Sequence, residues 1–505
     1  MSNIKKLAGE TLWYGGSTIA AKLINYLITP FLTYSTIVSK DAYGEIGIIY
    51  SLMPIFNVLF TYGFETAYFR FSSNKDSNKN IYNTAAISII CSTLFFTILL
   101  WLTKDSIGSI IGLEKHPAII KLMILIIAID TLTAIPFARL RQENKPRKFA
   151  AAKVIGILVN IFLTWFFIGY CATHNTEGSW ASLFYDSKIN PITYVVFANL
   201  IQAIITLLFL SKEILQIRFT FDKELWKQMI TYAAPLILVG LGGMINETMD
   251  RIMLLWWLPG EEIFKKEQVG IYNACYKLSI LITLFIQAFK MSAEPFFFKQ
   301  AQGLNPQKTY ARVMKFFVII ISIMFLAVSL FLPIWKYFIG PSYWAGLVVV
   351  PILLMANIFL GIYYNLSVWY KLSNKTIYGA WVTILGTLIT VVLNYAFIPR
   401  YGFVACAVTT CICYGTMMVV SFIWGQKNYP IPYAWKKLVA YLTIVVIIFL
   451  IHKGLTSLLA NSIFSLALGS LLLFIYCWFI TIVEHKEFAK LPVVGKYFTQ
   501  KSNDV

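Results

Sequence analysis

Charge is what this 505-residue chain has least of. Asp, Glu, Lys and Arg make up 13% of it, about half the share of an ordinary soluble domain, which excludes a fold whose helices each keep one face in water. Acidic residues are the scarcer sign, 23 against 42 basic ones. Histidine occurs four times, and His116, His452 and His485 fall near expected helix ends, so no metal-binding histidine cluster is expected. The seven cysteines fall mostly inside apolar runs, and only one residue separates Cys411 from Cys413. This spacing gives neither a disulfide framework nor a metal site. There is no Walker loop, no dinucleotide fingerprint and no HExxH motif, and no loop is long enough to fold as a separate domain. These absences exclude a nucleotide-driven pump and a detached catalytic module, so no enzyme activity and no cofactor is expected. Energy must come from an ion gradient or from none. The basic residues are scattered through short segments without a continuous patch, which excludes a nucleic-acid surface.

Apolar residues are abundant: 58% of the chain, with a mean hydropathy of +0.71. A helix needs roughly 20 apolar residues to cross a bilayer core, and such windows recur near residues 10–32, 42–65, 83–103, 117–138, 150–170, 191–211, 229–256, 268–290, 312–335, 345–368, 376–397, 402–424, 438–453 and 461–483. The chain is therefore expected to be an all-α, multi-pass membrane protein with about 14 spans. Lys5 and Lys6 precede a polar-flecked segment with no small-residue cleavage site before Pro30, so the first helix is expected to stay. Fourteen spans put both termini on one side. If that side is the cytoplasm, inner segments hold 29 Lys and Arg residues and outer segments 10, which predicts N-in and C-in. Trp256, Trp257, Trp335 and Trp344 then fall at outer ends, where interfacial aromatics belong.

The chain also repeats. At an offset of 230, the segment from Asn144 shares Asn144/Asn374, Lys145/Lys375, Ala150/Ala380, Gly156/Gly386 and Leu158/Leu388 with the segment from Asn374. A weaker echo near offset 226 pairs YGEIGIIYSL from Tyr43 with VGIYNACYKL from Val269. The fifth span thus maps on the eleventh and the second on the eighth, so two parallel six-span units follow, related by an axis along the membrane normal. Residues 1–215 and 216–430 are expected to form the two bundles, and 431–505 two further helices and a tail. Repeats of this kind suggest a transporter that rocks two bundles about a midplane site.

Ionisable groups inside spans need a partner, a wet cavity or a route to the interface. Lys22 lies near the middle of the first span beside Asn25, too deep to snorkel without strain, and lining a polar cavity is the alternative. Glu247 and Arg251 stand four apart on the seventh span, a favourable helix pair, with Asn246 and Asp250 on the same broad face. That face either anchors the outer end below Trp256 or walls a cavity. Lys277 can reach a cavity or the outer headgroups. Asp130 is too short to snorkel and calls for a pocket or a cationic partner.

The stretch from Pro235 to Pro295 resembles the oligosaccharide-lipid flippases of the MOP superfamily, the Wzx-type polysaccharide biosynthesis proteins related to MATE exporters and lipid II flippases. An apolar helix ends in Asp250-Arg251 and IMLLWW, then come a short acidic loop, Gly270-Ile271-Tyr272, Ala274 and Tyr276-Lys277-Leu278. The first helix, with Trp13, Gly15 and the run to Pro30, also looks like the family's opening. The resemblance implies a bacterial inner-membrane flippase for an undecaprenyl-diphosphate-linked oligosaccharide, driven by a proton or sodium gradient. A polysaccharide polymerase and glycosyltransferases would be partners in the same biosynthesis of surface polysaccharide such as lipopolysaccharide O-antigen. On this reading Lys22, Arg251 and Lys277 are substrate-binding cations of a central cavity, Asp130, Glu247 and Asp250 candidates for the coupling ion, and Asn25 and Asn246 polar cavity residues. A MATE-like drug or cation antiporter and a lipid II flippase are the rival readings. The first typically has twelve spans; the second carries paired arginines on its first helix, where this chain has only Lys22. A membrane glycan polymerase would need a large catalytic outer loop, and the longest here, about Cys171 to Pro191, holds only His174, Glu177, Asp186 and Lys188.

Overall fold

The computed structural model describes residues 16, 19, 20, 22–72, 80–143, 145–176, 178–301, 305–373, 375–459 and 461–489. Among them, 13 helices are long and apolar enough to cross a bilayer. The expected first span begins outside the described residues, as do Lys5, Lys6, Trp13, Gly15, Asn144, Glu177, Asn374 and the side chain of Pro295. Its remainder is helical at 22–26 and ends as α1, Ile28–Tyr34.

The helices that follow are α2 (Lys40–Thr61), α3 (Ile81–Leu102), α4 (Pro117–Gln142), α5 (Pro146–Thr164), α6 (Pro191–Phe209), α7 (Lys223–Thr248) and α8 (Glu262–Gln300). Then come α9 (Pro306–Ser329), α10 (Val349–Leu366), α11 (Ile377–Tyr401), α12 (Phe403–Asn428), α13 (Trp435–Leu459) and α14 (Ser462–Val483). Local chemistry sets many of these ends. Pro117, Pro146, Pro191 and Pro306 open their helices, where a missing N–H leaves nothing unpaired. The side chains of Asn190, Asp222 and Asn461 accept the first free backbone N–H groups of α6, α7 and α14. Gly402, at φ +56°, turns the chain between α11 and α12, a conformation that costs other residues a Cβ clash.

Three spans differ from the sequence reading. The seventh ends α7 at Thr248 and resumes as a short helix, Asp250–Trp257. The fifth continues beyond α5 through a π-helical stretch, Trp165–Cys171. The eighth is far longer than its apolar window, so Lys266, expected in an outer loop, stands on α8 and is buried. An ion pair compensates its charge there, which hydropathy alone does not register.

The repeat reappears in the packing. In the first half α4 packs on α3 and α6, and α5 on α6; in the second half α10 packs on α9 and α12, and α11 on α12. The matched glycines sit at equivalent joints. A Cβ at Gly156 would meet Thr206 on α6 at 2.8 Å, and one at Gly386 would meet Met417 on α12 at 2.7 Å. Small residues here let helices approach in lipid, where no hydrophobic force drives them together. The halves join chiefly along α2 and α8. A Cβ on Gly44 would lie 2.0 Å from the Lys266 carbonyl oxygen, and one on Gly270 2.2 Å from that of Lys40. Gly44 and Gly270 are the equivalent residues of the weaker echo, so the two repeats touch backbone to backbone at the same position.

The last two helices lie on α9. Glu484, just past α14 and 2% exposed, accepts from Lys315 on α9 (2.8 Å), from Lys437 (2.6 Å) and from Tyr441 (2.5 Å) on α13. Burial alone would raise its pKa, but these hydrogen bonds outweigh that and hold the carboxyl below its ordinary range.

Two outcomes are expected. Gly44→Ala or Gly270→Ala forces α2 from α8 and lowers stability by about 1–3 kcal/mol, read as a drop in the thermal midpoint in detergent; an unchanged midpoint sinks the backbone contact. Because the folded-state pKa of Glu484 is depressed, its contribution is present above the unfolded carboxylate pKa of about 4.3 and is lost as pH falls through the lower folded value. The gap in thermal midpoint between the wild type and Glu484→Gln should therefore be wide at neutral pH and close on acidification below about pH 4.3.

Candidate functional site

Polar groups buried among the helices gather in two cavities and one seam. The first cavity, about 350 Å³, is bounded by α1 and the helical residues before it, α2, α5, α6 and α8. Lys22, Asn25, Tyr50, Asn160, Asn199, Gln202, Asn273 and Lys277 give it polar walls, and no carboxylate among the described residues lines it. The amides are tied in pairs: Asn160 Nδ2 donates to Gln202 Oε1 at 2.8 Å and Asn199 Nδ2 to the Tyr50 hydroxyl at 2.7 Å. Lys22 Nζ donates to Gln287 on α8 at 2.6 Å, bridging the two halves. Lys277 makes no hydrogen bond or ion pair with any described residue and shares its surroundings with a second cation, Arg251. An ammonium in a membrane interior without a counter-charge is costly, and an anion in this cavity would offset that cost.

The second cavity, about 270 Å³, lies in the other half between α7, α8, α10, α11 and α12. Asn246 and Glu247 line it, with Lys290 and Lys371 and the rings of Tyr363, Tyr364, Tyr370 and Tyr414. Asn246 is fixed: its Nδ2 donates to the Thr383 carbonyl at 3.4 Å and its Oδ1 accepts from Thr390 at 3.3 Å.

Asp250 and Arg251 line neither cavity. Both are buried, at 2% and 6% exposure. Arg251 Nη1 donates to Asp250 Oδ1 at 2.8 Å and to the Glu247 carbonyl at 3.2 Å, and its guanidinium lies 4.3 Å over the Tyr276 ring. Asp250 Oδ2 accepts from the Tyr272 hydroxyl at 2.5 Å. The partner of Arg251 is thus its neighbour in sequence, not the carboxylate one turn earlier that helix spacing suggests. The turn between α7 and the short helix after it brings Asp250 round to the guanidinium. Asp130, on α4, is exposed and lies within electrostatic reach of Lys153 and Tyr50.

Above the first cavity, on the expected outer side, a seam closes the halves. Glu45, 2% exposed, accepts from Lys266 (3.0 Å) and Asn190 (2.7 Å), with His116 at 3.9 Å. Lys266 also reaches Glu262 at 2.7 Å, and Lys40 reaches Glu267 at 3.6 Å. The Gly340 N–H donates to Thr33 Oγ1 at 3.1 Å, and Tyr26 stacks on Phe338.

The structure therefore brings Lys22, Asn25 and Lys277 together, and Asn246 with Glu247, and it sets Asp250 and Arg251 apart as a neutral internal pair. Sequence reasoning missed Asn160, Asn199, Gln202, Asn273 and Glu45, and gave no role to Lys153, which lies on α5 with its Nζ 4.3 Å over Phe137. The spacing of three between Asn199 and Gln202 was the one usable signal, since it puts both amides on one helix face.

Comparison with solved structures gives the same architecture. The chain is similar to a lipid II flippase MurJ in an inward closed conformation, with a TM-score of 0.67 and 14% identity over 94% of this chain and 99% of that one. It is also similar to inward-facing and outward-facing structures of a multidrug resistance MATE family transporter of the MOP superfamily, with TM-scores of 0.58 and 0.59 at 15% identity, covering 86% of this chain and 96% of each. No curated protein matches the sequence significantly. The profile of the polysaccharide biosynthesis protein family matches residues 7–301, which takes in α2, α8 and every group of the first cavity, and the chain belongs to that family.

Proposed function

We propose that the protein is a flippase that carries an undecaprenyl-diphosphate-linked oligosaccharide from the inner to the outer leaflet of a bacterial cytoplasmic membrane, with both termini inside, by ion-coupled alternating access. The observation that carries this reading is the first cavity: amide-rich, without a carboxylate among its described lining residues, and holding in Lys277 an ammonium with no counter-charge from them. A diphosphate supplies that charge, and sugar hydroxyls suit the spare donors and acceptors of Asn25, Asn199, Gln202 and Asn273. A second feature supports a lipid-linked cargo. Between α9, α10, α12 and α13 runs a mainly apolar groove of about 330 Å³ lined by Met314, Leu366, Met418, Phe422, Leu438 and Leu442, and a polyprenyl chain matches it.

Membership of the family and the MurJ-like and MATE-like fold agree with a flippase or transporter. The rival reading, a drug or cation antiporter, draws on Glu247 in its tyrosine-walled cavity. Lys290 and Lys371 in the same walls weigh against a cationic drug as cargo, and Glu247 there and Asp130 on α4 are the proposed carriers of the coupling ion.

Lys277→Gln should reduce glycan export roughly tenfold or more at unchanged protein level, since a charge-assisted hydrogen bond is worth about 1.5–3 kcal/mol, and Lys277→Arg should restore most of it. Arg251→Gln should instead lower the amount of folded protein, because it leaves Asp250 buried and unpaired. Full export by Lys277→Gln removes the anion site. For coupling, flipping in vesicles is measured with the proton and sodium gradients collapsed separately. One collapse, and Glu247→Gln, should stop it; indifference to both gradients rules out ion coupling.

A further inference from the structure

Away from both cavities, two pockets are stacked between α3, α4 and the segment 211–221 that joins the first half to the second. The one nearer the loops, about 610 Å³, is polar and lined by Asn80, Tyr82, Asn83, Arg139, Gln216 and Arg218, with no carboxylate among its described lining residues. The one deeper in the helices, about 260 Å³, is apolar and lined by Ile89, Ile90, Ile135, Pro136, Ile214 and Ile217. Each wall supplies both levels in the same order. On α3, Asn83 is followed by Ile89 and Ile90; on α4, Arg139 stands one turn from Pro136 and Ile135; on the joining segment, Gln216 and Arg218 flank Ile217, with Ile214 beyond.

The polar level is a built site. Asn83 accepts the Arg218 backbone N–H at 3.1 Å and donates to the Thr220 hydroxyl at 2.8 Å, and the Tyr82 hydroxyl donates to the Glu213 carbonyl at 2.8 Å. These bonds hold the joining segment on α3. Arg139 lies over the Tyr82 ring at 4.3 Å, with its Nε on Glu143 at 2.6 Å, so its outer N–H groups remain for a ligand. The Arg218 guanidinium has no partner among the described residues. Beside it Leu215 and Phe219 are 84% and 94% exposed, which places them in lipid when this loop lies at the headgroup level.

We propose that the stack is a binding site for an anionic phospholipid of the inner leaflet, with its phosphate between Arg139 and Arg218 and an acyl chain over Ile89, Ile90, Ile135 and Ile217. Charge complementarity selects the headgroup, and the apolar level directly beneath it selects an amphiphile over a free anion. The lipid then pins the one segment that links the two bundles. The leaflet rests on the orientation proposed above; the site itself does not.

The test uses the full chain in detergent, titrated with phosphatidylglycerol and phosphatidylcholine at equal concentrations and read by native mass spectrometry. Phosphatidylglycerol should bind at least tenfold more tightly. The Arg139→Gln/Arg218→Gln double variant should lose that preference, and Arg218→Gln alone, at an exposed position, should reduce it if the double variant folds poorly. A hundredfold excess of inorganic phosphate should leave the lipid bound. Equal binding of the two lipids, a preference that survives in the variants, or displacement by phosphate would each overturn the proposal. These readings are independent of transport, so a failed flippase assay leaves them standing.

Discussion

Two helix backbones in contact organise this molecule. At Gly44 and Gly270, α2 and α8 approach so closely that no Cβ fits between them, and each glycine holds the same place in its own repeat. Because the two helices run in the same sense from that point, the residues one and two turns further in face a common space. Tyr50 from α2 and Asn273 and Lys277 from α8 thereby wall one cavity. The same contact brings Glu45 to Lys266 and shuts the expected outer end. A larger side chain at either glycine would part the helices, and the ion pair and the cavity wall would go with it.

The distribution of charge follows from the cost of ions in lipid. Asp250 and Arg251 pair with each other, Asp250 accepts from Tyr272, and Arg251 donates to the Glu247 carbonyl and to Asn273 of the cavity wall, so they hold the short helix after α7 in place. Glu45 and Lys266 cancel across the seam. Lys277 is left with no anion, and it lies where a substrate can supply one. Neutral pairs do the joining, and on the proposed function the uncompensated ammonium does the recognition.

The spans and the repeat are legible in the sequence because hydropathy and offset depend only on order along the chain. The cavity is legible only in part. Lys22 and Lys277 declare themselves by their charge, whereas Asn160 and Asn199 are single amides in apolar runs, and nothing local says whether such a side chain faces lipid, a neighbour or a cavity. Arg251 shows the limit of periodicity. Spacing of four points to Glu247, but a turn at Met249 hands the guanidinium to Asp250. Lys266 looked like a loop residue because the apolar window began after it, while its partner, Glu45, lies more than two hundred residues away in the chain.

On the alternating access proposed above, the α2–α8 seam is a gate that must part for cargo to leave the cavity. Lys40 and Glu267 face each other across it at 3.6 Å. In a chain whose native cysteines are replaced, Lys40→Cys and Glu267→Cys can be joined by a thiol-reactive cross-linker with a disulfide spacer and released by reduction, with glycan export measured in both states. Export should stop when the seam is locked and resume on reduction; undiminished export through a fully cross-linked protein would contradict the account.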